Sequence, residues 1–138
     1  MSLNKFTIQK SFAINAGAGS GKTYTLSRRY INAILGFDFF KELGFEDIYF
    51  ENLKQATTKQ IVTITYTEAA ALEMKERIFG LISKILSVDS LDDKDADKSS
   101  ILEAFKILKL KQKNYVINTL QQALVQSSDA KISTIHSF

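Results

Sequence analysis

The run Ala16-Gly17-Ala18-Gly19-Ser20-Gly21-Lys22-Thr23 places three glycines, a primary amine and two hydroxyls within eight consecutive positions. A chain that turns on Gly17, Gly19 and Gly21 can bring successive backbone N–H groups close to one anion, and a helix starting there adds the positive end of its dipole. Lys22 would then reach the β and γ phosphates of a nucleoside triphosphate as a point charge, and the Thr23 hydroxyl would ligate Mg²⁺. The spacing matches the phosphate-binding loop, with Ala16 where the strict form has a glycine. Lys22 and Thr23 are therefore the expected catalytic residues. Residues Ala16, Gly17, Ala18, Gly19, Ser20, Gly21, Lys22 and Thr23 are the expected cradle for ATP with Mg²⁺. A bare Gly/Ser/Lys/Thr run can equally be a simple turn, so the flanking elements decide.

Those flanks are a short apolar run at Phe12, Ala13 and Ile14, suited to a buried strand, and a helical pattern at Leu26, Tyr30, Ile31 and Ile34 that stops at Gly36. Strand, glycine turn and helix thus follow in the order the loop requires. Residues 37–60 show no sustained period and read as an irregular connection, with one short helix expected at 50–55. Ile61, Val62, Thr63, Ile64, Thr65 and Tyr66 are β-branched or aromatic throughout and predict a second strand. From Glu68, the residues Ala71, Met74, Ile78, Leu81, Ile82 and Ile85 line one face of a long helix, with Thr67 placed to cap it and Glu73 and Arg77 spaced to pair. Residues 89–100 are rich in Asp and Ser and predict an exposed loop. Helices are expected at 101–110 and 115–126, and a strand at 131–135. Strand, helix, strand, helices, strand is the order of an α/β layer with right-handed crossovers.

Composition bounds the alternatives. At 138 residues, 45% hydrophobic and 24% charged, the chain can bury one core. The absence of cysteine excludes disulfides and thiolate metal sites, and a single histidine argues against a zinc centre. No stretch approaches the roughly 20 apolar residues of a membrane helix, so no membrane partner and a cytoplasmic setting are expected. The net charge of +3 is too small to argue for a nucleic-acid partner by itself. Asp89, Asp92, Asp93, Asp95 and Asp97 lack the glycine and terminal glutamate of a calcium loop, which favours solvation. Lys106, Lys109 and Lys113 fall near one face, where a solvated surface is a commoner explanation than a DNA backbone contact.

Two further segments follow the phosphate loop in order: Thr65-Tyr66-Thr67-Glu68-Ala69-Ala70-Ala71-Leu72-Glu73-Met74-Lys75-Glu76-Arg77-Ile78 and Ser133-Thr134-Ile135-His136-Ser137-Phe138. Together the three resemble superfamily 1 DNA helicases of the UvrD/Rep type, and most closely the RecB and AddA subunits of bacterial helicase-nuclease complexes. The resemblance covers roughly a third of the chain and implies an α/β, RecA-like phosphate-loop NTPase fold, incomplete here: a parallel sheet with flanking helices and the start of a helical insertion. It implies residues 1–87 as the N-terminal part of an ATP-binding motor domain, 88–129 as the insertion and 130–138 as the return strand. The second and third segments would face single-stranded DNA, with Thr65, Tyr66, Thr67, Thr134 and His136 as the contacts.

Threonine and histidine at strand ends can hydrogen-bond phosphate and sugar oxygens, and a tyrosine face can stack a base for about 1–3 kcal/mol. Read without the family, Tyr66 would be a buried strand aromatic and His136 a structural hydrogen-bonding group. The resemblance further implies a second subunit beside this one in a DNA repair and recombination complex, and a glutamine that reads adenine, for which Gln9 is the candidate although it lies closer to the loop than in UvrD-type sequences. The family's Asp-Glu acidic motif, its γ-phosphate arginine motif and its second motor domain are not among these residues. The segment alone is therefore expected not to turn over ATP. The competing class is a phosphate-loop nucleotide-binding module, or a degenerate remnant, without motor activity.

Overall fold

Helix α1, Ser20–Leu35, buries Tyr30, Ile31, Ile34 and Leu35, a stripe at the 3.6-residue period expected from the sequence. The computed structural model describes residues 20–40, 61–65 and 67–134; the strand expected at Phe12, Ala13 and Ile14 and the short helix expected at 50–55 lie outside the described residues. Gly36 ends α1 in the left-handed region at φ 81°, and its N–H donates to the Asn32 carbonyl at 2.9 Å. That conformation is inexpensive only without a Cβ, which is why a glycine marks the end of this helix.

Residues 37–40 have irregular backbone yet are buried, with Phe37, Phe39 and Phe40 in the core. Asn32 holds them there. Its fully buried side-chain amide donates to the Phe40 carbonyl at 3.0 Å and accepts from the Phe40 N–H at 2.9 Å. The amide supplies the donor and acceptor that a strand neighbour would otherwise give, so the turn needs no secondary structure of its own. Phe39 meets Phe40 and Phe105 edge-on, at ring separations of 5.0 and 5.3 Å.

Strand β1, Val62–Thr65, leads to helix α2, Glu68–Leu86, the central element of the fold. Ala71, Met74, Ile78, Leu81, Ile82 and Ile85 are all buried on α2, as is Phe79. Thr67 caps the helix, its hydroxyl accepting from the Ala70 N–H at 3.0 Å. The expected Glu73 and Arg77 pair is absent among the described residues, and both side chains lie exposed. An exposed pair contributes about 0–1 kcal/mol at best, too little to hold two long side chains in one geometry.

Helix α3 spans Lys98–Lys106 and helix α4 spans Leu110–Val125, each starting earlier than the apolar periodicity alone predicts. In α4 the entry is fixed by the Gln112 side chain, which accepts from the Lys109 N–H at 2.8 Å, a polar contact invisible to a hydrophobic count. Tyr115 on α4 donates its hydroxyl to the Leu35 carbonyl at 2.6 Å and so satisfies an acceptor that α1 leaves open at its end. Val116 and Leu120 are fully buried, sharing one core with Ile31, Ile78, Ile82 and Ile101.

Strand β2, Lys131–Thr134, lies parallel to β1, with Val62 opposite Lys131 and Thr65 opposite Thr134. Parallel neighbours require a crossover, here made by α2, α3 and α4. The described residues thus form four helices and a two-stranded parallel sheet, with α2 packed against α1, α4 and both strands. Among them no helix is long and apolar enough to cross a membrane.

Residues 89–100 are largely exposed, as the sequence leads one to expect, with Asp89, Asp92 and Asp93 at the surface, but Asp95 and Asp97 are partly buried and paired, which solvation alone does not explain. Asp97 accepts from the Arg28 guanidinium at 2.7 Å and from Lys84 at 3.0 Å, Lys84 also reaches Asp95, and Lys98 pairs with Asp93 at 2.8 Å. Asp95 and Asp97 thus neutralise cations carried by α1 and α2. This use of its carboxylate also explains why Asp97, at the N-cap of α3, makes no side-chain cap.

Candidate nucleotide and nucleic-acid interface

Ser20, Gly21, Lys22 and Thr23 form the first turn of α1. The leading N–H groups of any helix lack intrahelical partners, and the dipole concentrates partial positive charge at the same place. Proteins commonly offset this with an acidic residue, but the first turn of α1 contains none and instead carries the cation Lys22. A lysine there opposes the helix dipole at a cost of about 0.3–1 kcal/mol unless an anion lies between them. The donor set, backbone N–H groups with an ammonium and the half-buried Thr23 hydroxyl, fits a phosphate chain with its divalent cation. Among the described residues no cluster of three or more His, Cys, Asp or Glu could hold a metal ion by itself. Ala16, Gly17, Ala18 and Gly19 lie outside the described residues, as does Gln9.

One turn further along α1, Tyr24 carries the Arg28 guanidinium over its ring at 3.5 Å. Arg28 is 3% exposed, and its second terminal nitrogen contacts the Tyr24 carbonyl at 3.4 Å. Its ion pair with Asp97 joins the helix that begins with the phosphate-loop residues to the start of α3. Arg28 did not stand out in the sequence, and Asp97 did so only as a solvated member of an acidic cluster, because their contact spans 69 positions and belongs to no local period. The Asp97 carboxylate holds the Lys84 ammonium above its ordinary range, chiefly by a hydrogen bond. Asp95 is held below the usual carboxylate range, first by the Asp97 N–H and then by Lys84.

The second and third segments meet at the sheet. Because β1 and β2 run parallel, their C-terminal ends share one edge, and the register puts Thr65 directly opposite Thr134. In open parallel sheets that edge is where ligands bind. The start of α2 lies at the same edge, immediately after β1. Thr65 donates its hydroxyl to the Thr67 carbonyl at 3.1 Å, and the Thr67 hydroxyl accepts from Ala70. Each hydroxyl therefore spends part of its hydrogen-bonding capacity on local structure. Tyr66 and His136 lie outside the described residues.

Comparison with known proteins places the chain among helicase sequences. The chain is 33% identical over 125 residues to the RecBCD enzyme subunit RecB of Buchnera aphidicola subsp. Schizaphis graminum, covering 91% of this chain and 10% of that protein. It is 32% identical over 138 residues to an ATP-dependent helicase/nuclease subunit of Ligilactobacillus salivarius, again 91% of this chain and 10% of the relative. The corresponding ATP-dependent helicase/nuclease subunit of Clostridium botulinum is 40% identical over 84 residues, which is 61% of this chain and 5% of that protein. The chain thus spans about a tenth of the length of the first two relatives. A family model described as the UvrD/REP helicase N-terminal domain matches residues 3–138, and the chain belongs to that family.

Proposed function

We propose that this chain supplies the ATP-binding part, and a portion of the single-stranded DNA surface, of the first motor domain in an ATP-dependent DNA helicase of a helicase-nuclease complex. The observation that carries the proposal is the parallel register of β1 and β2, which sets Thr65 beside Thr134 and so joins two segments far apart in the chain at one ligand-binding edge. The fold is a RecA-like phosphate-loop NTPase in which residues 1–87 and 130–138 belong to the motor sheet and 88–129 form a helical insertion. The pairing of β1 with β2 across that insertion supports the division.

Residues 16–23 would hold the phosphates of ATP, with Lys22 as the cation toward the terminal phosphates and the Thr23 hydroxyl as a ligand to Mg²⁺. When bound, magnesium would supply further neutralisation of phosphate charge. Thr65, Tyr66, Thr67, Thr134 and His136 contact single-stranded DNA, the threonines and histidine through phosphate and sugar oxygens and Tyr66 by stacking. The working protein is cytoplasmic and pairs with another subunit; the names of its relatives, each a subunit of a larger enzyme, support the pairing.

The test is titration of a fluorescent ATP analogue with Mg²⁺ into the wild-type chain and into Lys22→Ala, followed by a single-stranded oligonucleotide. Nucleotide binding that is lost in Lys22→Ala, together with oligonucleotide binding weakened by Thr65→Ala, supports the proposal. A folded chain that binds neither refutes it for this segment.

A further inference from the structure

A groove of about 520 Å³ opens where the end of α2, the turn Val88–Ser90, α3 and α4 meet, away from the phosphate-binding turn. Its apolar lining includes Ile85, Val88, Leu102, Phe105 and Ile117, and Leu102 and Ile117 remain 42% and 36% exposed. A groove of this volume lies within the roughly 300–1,000 Å³ of ordinary ligand sites. Lys106 and Lys113 also line it, against the single carboxylate of Asp89.

The charge around the groove is one-sided. From residue 104 to residue 128 the sequence has four lysines, Lys106, Lys109, Lys111 and Lys113, and no acidic residue. Lys109 is the N-cap of α4, and Lys111 and Lys113 lie near its start, whose first turn contains no acid. Three cations therefore adjoin the positive end of a helix dipole, an arrangement unfavourable within the chain itself. None of the four lysines forms an ion pair among the described residues.

We infer that this groove docks a segment of another protein in which apolar residues alternate with Asp or Glu at helical spacing. The apolar side chains fill the floor against Phe105 and Ile117, and the carboxylates face Lys106, Lys113 and the start of α4. Helix-in-groove recognition of this kind reads anchors at i, i+3, i+4 and i+7. A nucleic-acid backbone would use the lysines but leave the apolar floor uncovered, so the combined chemistry favours the acidic peptide.

The experiment is selection of a displayed library of helical peptides on the wild-type chain, with the fluorescence anisotropy of recovered peptides then measured against Lys106→Glu/Lys113→Glu and against Ile117→Glu. All three positions have partly exposed side chains, and amide spectra of each variant check folding. Recovered peptides should combine apolar anchors with acidic residues, bind about tenfold more weakly to the double variant, and shift the amide signals of α3 and α4. Ile117→Glu should weaken them as well. Peptides without acidic residues, equal binding to the charge-reversed chain, shifts confined to other elements, or an empty selection each overturn the inference. So does a single- or double-stranded oligonucleotide that displaces nothing apolar yet binds these lysines more tightly than any recovered peptide.

Discussion

Replacing Asn32 with Ala removes the amide that holds Phe40 and strips two buried backbone groups, one N–H and one carbonyl, of the partners they have at 2.9 and 3.0 Å. A buried donor or acceptor left unsatisfied costs about 1–3 kcal/mol, and the two together set an expected loss of about 3–4 kcal/mol. That is a large share of the roughly 5–15 kcal/mol that holds a domain folded. Urea denaturation followed by fluorescence or circular dichroism measures the loss directly.

Asn32→Asp sharpens the test. At neutral pH the introduced carboxylate can accept from the Phe40 N–H but cannot donate to the Phe40 carbonyl, which then faces a buried negative charge. Protonated, the same group has an O–H to donate and a C=O to accept, the pattern of the amide it replaces. Burial raises the folded pKa of such a carboxyl above its unfolded value. Its contribution is therefore fully present below the unfolded pKa and lost as pH rises through the folded one. The stability difference between wild type and Asn32→Asp should be small near pH 4 and reach about 2–4 kcal/mol at pH 7. A difference that does not depend on pH, or a loss below about 1 kcal/mol in Asn32→Ala, would refute the clamp.

Other perturbations have equally definite outcomes. Asp97→Ala leaves the Arg28 side chain, only 4% exposed, without its carboxylate; breaking a buried pair costs about 3–5 kcal/mol, and the partial exposure of Asp97 lowers the expectation to about 2 kcal/mol by urea denaturation. Tyr30→Phe should hold or raise stability by up to about 1 kcal/mol in the same assay, because the Tyr30 hydroxyl is buried without a hydrogen-bond partner among the described residues. Burial pushes the Tyr30 phenol up to about 12 from 10.0, and Lys84 is raised above 10.5. Both contribute stability that is complete below their unfolded values and lost as pH rises through the folded ones, so alkaline titration should show destabilisation setting in above about pH 10, reduced in Tyr30→Phe. Asp93 and Asp95 are held low by Lys98 and by the Asp97 N–H respectively, so their contribution is present above 3.8 and lost as pH falls through lower values. Ile82→Ala, at a fully buried position on α2, should cost about 2–5 kcal/mol by thermal or urea melting.

Local signals were legible in the sequence. The stripe on α1, its glycine stop, the buried face of α2 with its Thr67 cap, and the β-branched run of β1 each repeat or end within a few residues, and the structure has them where the periodicity put them. Contacts between distant side chains were not legible. Asp95 and Asp97 read as solvated because their partners Arg28 and Lys84 lie on other helices, and residues 37–40 read as patternless because a single amide from α1 holds Phe40 inward. For the candidate site, the residue types of the phosphate loop and the threonines carried the chemistry. The approach of Thr65 to Thr134 at one sheet edge needed the parallel register, which no one segment encodes.

That register also has a consequence in time. The turns of α2, α3 and α4 close through contacts a few residues apart, on the order of microseconds or less for isolated helices, whereas β1 and β2 can pair only after all three helices between them have compacted. The Thr65 and Thr134 edge is thus expected to form after the intervening helices, because its closure spans all three of them. Substitutions that slow packing of the intervening helices should delay the Thr65 and Thr134 edge without touching it.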